Sequence, residues 1–409
     1  MGFARLVKAE KNRYSIKGAK METINSLICT VGTSLVSHWR TQNGWKNEEV
    51  NGIVVNSYET MEHALRKLIR NIEDDHDGLF ELLENEKKFG AEINSTTSLV
   101  RRRYTDQLEK VILLRSDTDD GLRTSQVLKN IFEIAKLVEK PVEIKTISGL
   151  QHEDEKRFRR EGLVNLVKTM VDAIEKLKAA GLKPAINATG GYKAQIAFAV
   201  LIGQVMKVPV FYRFEKFPQI ISLPPLPVNY DFGTWARFYD ILKKTYDETT
   251  ISADEIPLDE EPAIEVLFEI ENNEAMLSSV GIIFFEAFRN FINENWNLPK
   301  PSDLSLEERV KNINLEHSGN IVKRPKLKNF LEKLFKECEF IERAQCESFN
   351  PDLPSKIKFI KPKDGRVNEI MLIYSDGTAT AKIRLVTTAE NDGERIRAIE
   401  ELTARYSLD

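Results

Sequence analysis

The sequence has few of the features that mark secreted or membrane proteins. Its 409 residues include three cysteines and five histidines, and no apolar run approaches the ~20 residues that a membrane-spanning helix needs. Cys29, Cys338 and Cys346 give neither a disulfide framework nor a paired zinc-ligand spacing. The basic first twenty residues lack the apolar segment of a secretory signal. These absences predict a cytoplasmic protein that does not bind membranes.

Net charge is also nearly absent, since 59 Lys and Arg face 63 Asp and Glu for a total of −4. Such a balance argues against a basic coat for duplex DNA. The charges are nevertheless segregated. Residues 245–288 contain no Lys or Arg, and eleven acidic residues lie between 247 and 274, whereas residues 356–384 carry seven basic and three acidic residues. We interpret the acidic stretch as a connector and the basic stretch as a local binding surface.

Short apolar segments alternate with helical patterns through the first 245 residues. The apolar segments lie at 26–31, 111–114, 141–147, 184–188 and 208–213, and the helical patterns lie at 50–87, 122–140, 156–180 and 194–206. This alternation is typical of a parallel sheet with helices on both faces. It predicts a Rossmann-like α/β domain.

Three small polar turns follow strands of this predicted sheet. Because ligands of parallel sheets bind at the carboxyl ends of the strands, and helix N-termini with Gly, Ser and Thr bind anions, we expect one phosphate-bearing ligand to contact all three turns. The sequence has neither the GxxxxGK[ST] of a P-loop nor a GxGxxG after the first strand. The candidate ligand residues are Gly32, Thr33, Ser34, Ser116, Asp117, Thr118, Thr189, Gly190, Gly191, Tyr192 and Lys193.

These turns resemble the signature turns of CARF domains, the Rossmann-like sensors of type III CRISPR systems. The resemblance is carried by LICTVGTSL at 27–35, VILLRSDTDDG at 111–121 and INATGGYK at 186–193, and it covers residues 22–245. It implies a homodimer in which two sheet edges bind one cyclic oligoadenylate, with cyclic tetra-adenylate as the expected activator and no other cofactor. The first turn would then hold part of the ring, the second would border it, and the third would contact phosphate and base.

The C-terminal part of the chain predicts a different architecture. Residues 263–296 are interpreted as two helices, with a turn at 277–281 between them, in a winged-helix-like or all-helical connector. A helix at 327–340, strands at 356–361, 368–374 and 380–387 and a closing helix at 395–406 predict a small α+β domain. The predicted division is an N-terminal extension at 1–21, with Met21 a possible start of translation, a sensor at 22–245, a connector at 246–300 and an effector at 301–409.

The C-terminal part of the sequence lacks the motifs of two common classes of CRISPR nuclease. A HEPN ribonuclease needs an Arg and a His separated by four to six residues; Arg309 and His317 are too far apart, and Arg70 and His76 lie in the sensor part. A PD-(D/E)xK nuclease needs carboxylates and a Lys on adjacent strands to hold Mg²⁺. The strand at 380–387 contains no acid, so only an irregular set remains: Asp352, Glu369 and Asp376.

The basic sheet resembles the RelE family of ribosome-dependent mRNA interferases. Lys and Arg alternate along its strands, which suits RNA phosphates, and clustered cations would stabilise a phosphorane and lower the pKa of a Lys base. The resemblance implies metal-independent attack of the 2′-OH. Tyr374 and Tyr406 are both candidates for the family's catalytic Tyr. The candidate catalytic residues are Lys356, Lys358, Lys361, Arg366, Lys382 and Arg384.

The sequence therefore predicts a dimeric, cyclic-oligoadenylate-activated endoribonuclease of type III CRISPR antiviral defence, with mRNA and the ribosome as partners. Two alternatives stay open: a metal-dependent nuclease on the same sensor, and a ligand-responsive transcription regulator. The acidic stretch at 247–274 is interpreted as a segment that holds the basic sheet inactive or docks a partner.

Overall fold

A computed structural model describes residues 23–72, 74–151, 154–214, 219–226, 232–259, 262–316, 325–350, 357–362, 364–375 and 380–406. The chain forms two compact units, Met1–Pro227 and Val228–Asp409. The predicted division at residue 245 differs from this one, because it falls inside a helix whose Trp235 stacks on Phe288 of the second unit at 4.7 Å between ring centroids. The predicted N-terminal extension lies outside the described residues.

The described part of the first unit contains ten strands: β1 (Ser26–Thr30), β2 (Arg40–Thr41), β3 (Gly44–Trp45), β4 (Glu48–Val50), β5 (Ile53–Val55), β6 (Lys110–Ser116), β7 (Glu143–Ile147), β8 (Pro184–Asn187), β9 (Val210–Arg213) and β10 (Ile220–Leu223). Six of them form a sheet in the order β10-β9-β8-β1-β6-β7. Every neighbouring pair is parallel except β9 and β10. The predicted parallel sheet is confirmed.

Helices cover both faces of this sheet. They are α1 (Ser34–Trp39), α2 (Tyr58–Arg70), α3 (His76–Asn85), α4 (Gly90–Arg101), α5 (Asp119–Ile134), α6 (Leu163–Ala179) and α7 (Lys193–Val205). Leu27 and Val111 point into a core shared with α2 and α5, whereas their neighbours Ile28 and Ile112 are buried on the opposite face, where α6 contacts β1 and β8. Alternate residues of a strand point to opposite faces, so two covered faces require continuously apolar strands.

The second unit is built around an antiparallel sheet with helices packed on it, as the α+β prediction has it. Its order is β14-β15-β18-β17-β16, and β14 with β15 is its one parallel pair among the described residues. The strands of this unit are β11 (Ile251–Ser252), β12 (Phe268–Glu271), β13 (Glu274–Leu277), β14 (Ile313–Asn314), β15 (Ile341–Asn350), β16 (Ile357–Ile360), β17 (Glu369–Ser375) and β18 (Thr380–Thr387). The helices are α8 (Phe232–Glu248), α9 (Ser279–Asn295), α10 (Leu306–Lys311), α11 (Pro325–Glu337) and α12 (Asp392–Tyr406).

The prediction of two helices for residues 263–296 is wrong for the first of them. A 3₁₀ turn (Pro262–Leu267) leads into the hairpin of β12 and β13, and only α9 is helical as predicted. The reason is local: Asn272 and Asn273 have φ of 50° and 63°, and two residues with positive φ make the tight turn that suits antiparallel strands. No helix in the described part of the chain is long and apolar enough to cross a membrane.

Candidate functional site

The three predicted ligand turns meet at one edge of the parallel sheet. They follow β1, β6 and β8, which are neighbours in the order β8-β1-β6 and end at the same edge. The first and third turns touch each other. A Cβ on Gly32 would lie 2.3 Å from the backbone N of Gly191, and the Thr30 hydroxyl donates to the carbonyl of Gly190 at 2.5 Å. Only a glycine allows this approach of two backbones.

The first turn is hydrogen-bonded to Glu92, a residue that is not among the candidates chosen from the sequence. Glu92 lies in the first turn of α4, and its Oε1 accepts from the N–H of Gly32 at 2.7 Å, while its Oε2 accepts from the Ser34 hydroxyl at 3.0 Å. Glu92 is 1% exposed. Burial raises the pKa of this carboxyl, and the hydrogen bonds from Gly32 and Ser34 oppose that rise. Thr33 lies between these two residues and is exposed.

The same helix also fixes the third turn. Asn187, the last residue of β8, donates from Nδ2 to the hydroxyls of Ser95 (2.8 Å) and Thr96 (3.2 Å) of α4. Its Oδ1 in turn accepts from the backbone N and the hydroxyl of Thr189. All of these polar groups are buried or half-buried. The buried polar face of α4 is therefore a common support for the first and third turns.

The second turn caps a helix and joins the neighbouring turn. The Thr118 hydroxyl accepts from the N–H of Gly121 at 3.0 Å as the N-cap of α5, and it lies 2.8 Å from the hydroxyl of Ser116. The carboxylate of Asp117 accepts from the N–H of Gly149, which follows β7, at 2.9 Å. Asp117 thus links the turns after β6 and β7, which is a structural role inside the predicted site.

The third turn presents a cation and an aromatic ring at the start of α7. Gly191 has φ of 97°, and the N–H of Tyr192 donates to Oε1 of Gln195 at 3.1 Å. The Tyr192 ring meets the ring of Phe158 edge to face at 5.6 Å, and Lys193 is exposed as the first residue of α7. Hydroxyl groups, a helix N-terminus, a lysine and an aromatic ring together suit a ligand that has both phosphate and base.

Sequence reasoning missed Glu92, Ser95 and Thr96, although the sequence carries a signal for them. With Leu99 they repeat at the helical spacing i, i+3, i+4, i+7, which marks one face of a helix. That face is mostly polar, so the pattern resembles a solvated surface. The structure instead buries it against the strand ends.

Three of the candidate basic residues, Lys358, Lys382 and Arg384, share one face of the second sheet. Lys382 pairs with Ile373, which pairs with Lys358, and Arg384 lies two residues further along the same strand. Lys356 lies outside the described residues. Lys358 is ion-paired with Glu248 at 2.8 Å, a contact between the basic sheet and the start of the acidic stretch.

Arg384 is the centre of an ion-pair cluster. Its guanidinium contacts Glu347 on β15, bonds to Oε2 of Glu369 on β17 at 2.6 Å, and lies 3.9 Å from the carboxylate of Asp364. Glu347 and Glu369 raise the pKa of Arg384. The hydrogen bond with Glu347 is the largest cause, and burial opposes the rise. Burial would raise the pKa of Glu369, but the N–H of Arg366 and the Arg384 guanidinium lower it overall. The positive charge of Arg384 is therefore compensated by the carboxylates of Glu347 and Glu369.

The other candidate cations differ in their environments. Lys382 and Arg366 are exposed and Lys361 is half-buried. Among the described residues, no carboxylate lies within 4 Å of the Lys382 ammonium. The carbonyl of Arg366 accepts from Arg395 at 2.9 Å, and the charge of Lys361 opposes the rise that burial causes in the pKa of Asp240. Of Lys358, Lys382 and Arg384 on this face, Lys382 is thus the exposed cation.

Neither candidate tyrosine lies on the basic face. Tyr374 is buried beside Phe330 of α11, at 5.2 Å between ring centroids, and pairs with Ala381 on the opposite face of the sheet. The Tyr406 hydroxyl donates to Glu337 at 2.6 Å, and burial with this bond raises the pKa of Tyr406. The structure therefore separates both rings from Lys382 and Arg384.

The residues of the two other nuclease classes form no such site in the described chain. Arg70 ends α2, and His76 begins α3 and stacks on Phe80 at 4.5 Å. His317, Asp352 and Asp376 lie outside the described residues. In the part of the chain that the structure describes, no group of three or more His, Cys, Asp or Glu side chains is arranged to hold a metal ion.

Part of the first unit is similar to a known protein family. Residues 87–226, about a third of the chain, match a family model described as CRISPR-associated protein (Cas_APE2256). The first unit is therefore similar, over most of its length, to a CRISPR-associated family. The matched segment contains α4 and the second and third turns, and it leaves out the first turn. The predicted CRISPR association has support, and the RelE resemblance stays a prediction.

Two solved structures align with most of the chain at low identity. Protein VC1899 from Vibrio cholerae is 8% identical, with 89% of this chain and 77% of that chain covered and a TM-score of 0.26. Can2 from Sulfobacillus thermosulfidooxidans, solved in complex with cyclic tetra-adenylate, is 11% identical, with 93% and 86% covered and a TM-score of 0.23.

Proposed function

We propose that this protein is a CARF-type, cyclic-oligoadenylate-responsive ancillary protein of type III CRISPR systems. The observation that carries the proposal is the assembly of three polar turns at one edge of a parallel sheet, two of them inside the segment that matches a CRISPR-associated family. Ligands of parallel sheets bind at this edge.

The ligand contacts follow from the outward groups of the turns. Lys193 and the N-terminus of α7 receive a phosphate, since both are positive and Lys193 is exposed. The Thr33 hydroxyl donates to the ring from the first turn, and the Tyr192 ring packs against an adenine base. Each protomer of a symmetric dimer then contributes half of the contacts to one cyclic ligand.

Calorimetric titration with cyclic tetra-adenylate tests this assignment. We expect one ring to bind per dimer, and Lys193→Ala to weaken binding by about tenfold to a hundredfold, the value of a charge-assisted hydrogen bond. Lys176→Ala is the matched control, because Lys176 is 71% exposed on α6 and forms its ion pair with Asp172. Wild-type affinity in Lys193→Ala would refute the proposed phosphate contact.

For the second unit we propose metal-independent cleavage of RNA at the basic face, activated when the sensor binds its ligand. Lys382 supports the proposal, because it is an exposed cation on a sheet face that Lys358 and Arg384 share. Its ammonium would stabilise the charge that develops on the scissile phosphate. The paired state of Arg384 gives that residue the role of holding Glu347 and Glu369 rather than that of a base.

The experiment incubates the protein with cyclic tetra-adenylate and translating ribosomes, and maps the 5′ ends of the mRNA. Ligand-dependent cleavage that leaves a 5′-hydroxyl, the end that attack by the neighbouring 2′-OH produces, is the expected result. Lys382→Ala should lose at least about tenfold in activity, in keeping with the removal of one electrostatic contact. Cleavage of naked RNA as fast as ribosomal mRNA would refute the dependence on the ribosome. A 5′-phosphate at the cut, the end that metal-assisted attack by water leaves, would favour the metal nuclease.

A further inference from the structure

Glu92 is a buried carboxylate beneath the ligand edge of the first unit, and its partners are neutral. It is 1% exposed, and among the described residues no Lys, Arg or His lies within 4 Å of its carboxylate. Its two oxygens accept from Gly32 and Ser34 instead. A buried glutamate of this kind is destabilising unless its hydrogen bonds are made, so its position calls for a function.

We propose that Glu92 is the positioning residue of the ligand site, which fixes the first and third turns relative to each other and directs Thr33 outward. This inference rests on the proposed cyclic-oligoadenylate site and deepens it. It also changes the predicted contacts of the first turn, since the polar groups of Gly32 and Ser34 point to Glu92 and leave Thr33 to meet the ligand.

The first turn is joined to α4 by a closed set of hydrogen bonds. The hydroxyl of Ser34 donates to Glu92 and accepts from the N–H of Ala91 at 2.9 Å. Gly32 donates to the other oxygen of the same carboxylate. Both ends of the turn around Thr33 are thereby held by one side chain on a helix, which is more rigid than a loop.

The third turn rests on the same carboxylate. A Cβ on Gly190 would lie 2.1 Å from Oε1 of Glu92 and 2.6 Å from the carbonyl oxygen of Thr30. Gly190 therefore packs directly on the oxygen that holds Gly32. Because one oxygen contacts both turns, a change in Glu92 should reach the third turn as well as the first.

Two variants separate positioning from charge. Glu92→Gln keeps an acceptor for Gly32 and a polar contact for Ser34, whereas Glu92→Ala leaves both groups unpaired. Glu92→Asp is too short by one methylene to reach both, and it replaces the alanine variant if that one does not fold. Glu84→Gln is the matched control, because Glu84 is also buried in the first unit but is ion-paired with Arg101 and Arg102.

Hydrogen exchange of the free protein and ligand titration are measured together. We expect Glu92→Ala to raise exchange in peptides that cover 27–36 and 186–196, and to weaken binding of cyclic tetra-adenylate at least tenfold. Glu92→Gln and Glu84→Gln should stay within threefold of wild type in affinity, with unchanged exchange in both peptides.

The results that overturn the proposal are specific. If Glu92→Gln binds as weakly as Glu92→Ala, the negative charge matters rather than the hydrogen bonds. If Glu92→Gln binds more than tenfold tighter than wild type, Glu92 competes with the ligand. If exchange in Glu92→Ala rises in the first turn alone, the turns are not coupled. A wild-type protein that binds no cyclic oligoadenylate refutes the proposed function, whereas the exchange data still decide the role of Glu92.

Discussion

Glu92 in the first unit and Glu369 in the second lie at the two surfaces for which a function is proposed, and their environments are opposite. Glu92 is buried among neutral donors, and burial raises its pKa. Glu369 is bound by Arg384 and by the N–H of Arg366, and its pKa is lowered. The first surface is ordered by hydrogen bonds from neutral donors, and its cation, Lys193, is exposed. The second surface pairs Lys358 and Arg384 with carboxylates of the same chain.

The comparison shows that a local excess of basic residues does not make a basic surface. Residues 356–384 carry four more basic than acidic residues, yet Glu248 and Glu347 come from outside this stretch and pair with Lys358 and Arg384. Charge counted along the chain therefore overstates the field that RNA would meet. Lys382 is the residue on which the difference between the two surfaces is best tested.

The largest change, a loss of ligand affinity, is expected from a substitution at the contact between the first and third turns. Gly32→Ala places a Cβ 2.3 Å from the backbone N of Gly191, and an overpacking cost of about 3 kcal/mol corresponds to a loss of about a hundredfold in ligand affinity. Titration calorimetry measures it. Gly52→Ala is the control, since its φ of 78° gives strain but its Cβ meets nothing within 4 Å. Equal affinities for the two variants would show that the turns need not touch.

A smaller loss, in stability rather than affinity, is expected at the ion-pair cluster. Arg384→Ala leaves Glu347 and Glu369 without their cation, and we expect the free energy of unfolding to fall by about 2 kcal/mol in urea titrations. Lys382→Ala should change it by less than about 0.5 kcal/mol, as is usual for an exposed side chain. If Lys382→Ala destabilises the protein as much as Arg384→Ala, the contrast between paired and exposed cations fails.

The pH dependence of stability should have opposite signs for the two glutamates. Because the pKa of Glu92 is raised, its carboxyl group binds a proton more tightly in the folded protein than in the unfolded chain. The contribution of Glu92 to the free energy of unfolding therefore falls as the pH rises above the ordinary carboxyl value of 4.5. The pKa of Glu369 is lowered, so its contribution is present above 4.5 and is lost as the pH falls below it. A tenfold difference in proton affinity between the folded and unfolded states corresponds to about 1.4 kcal/mol.

Denaturation from about pH 3 to about pH 8, a range chosen on general carboxyl values, measures both effects against the glutamine variants. Relative to wild type, Glu92→Gln should gain stability as the pH rises, and Glu369→Gln should gain stability as the pH falls. Parallel curves for the two variants would contradict the opposite environments.

The smallest effect is expected where the acidic stretch meets the basic sheet. Glu248→Gln removes the ion pair with Lys358, in which the glutamate is 37% exposed, and exposed pairs are worth about 0.2–1 kcal/mol. If this contact restrains the resting protein, RNA cleavage without ligand should rise by about two- to fivefold. Glu274→Gln, an exposed acid of the same stretch, is the control, and unchanged basal cleavage in Glu248→Gln would end the restraint hypothesis.

Much of the first unit was predictable from local patterns. Buried parallel strands need continuously apolar segments, and the turns after them need Gly, Ser and Thr, so strands, turns and their shared edge follow from short stretches such as 27–35. The connector shows the limit of the same reasoning. Residues 268–277 contain enough apolar positions for a helix. They form a hairpin instead, with Asn272 and Asn273 in the left-handed backbone conformation at its turn.

The sequence by itself determined which groups can bind an anion, because Gly32, Thr33, Gly191 and Lys193 lie in or at the end of the turns that follow two predicted strands. Only the tertiary structure decided which of them are exposed, namely Thr33 and Lys193. Glu92 reaches the first turn across 60 residues of chain, and Glu347 reaches Arg384 across 37. Pairing of buried polar groups depends on distances in space, and those distances are fixed by the packing of α4 on the strand ends and by the register of β15 with β18.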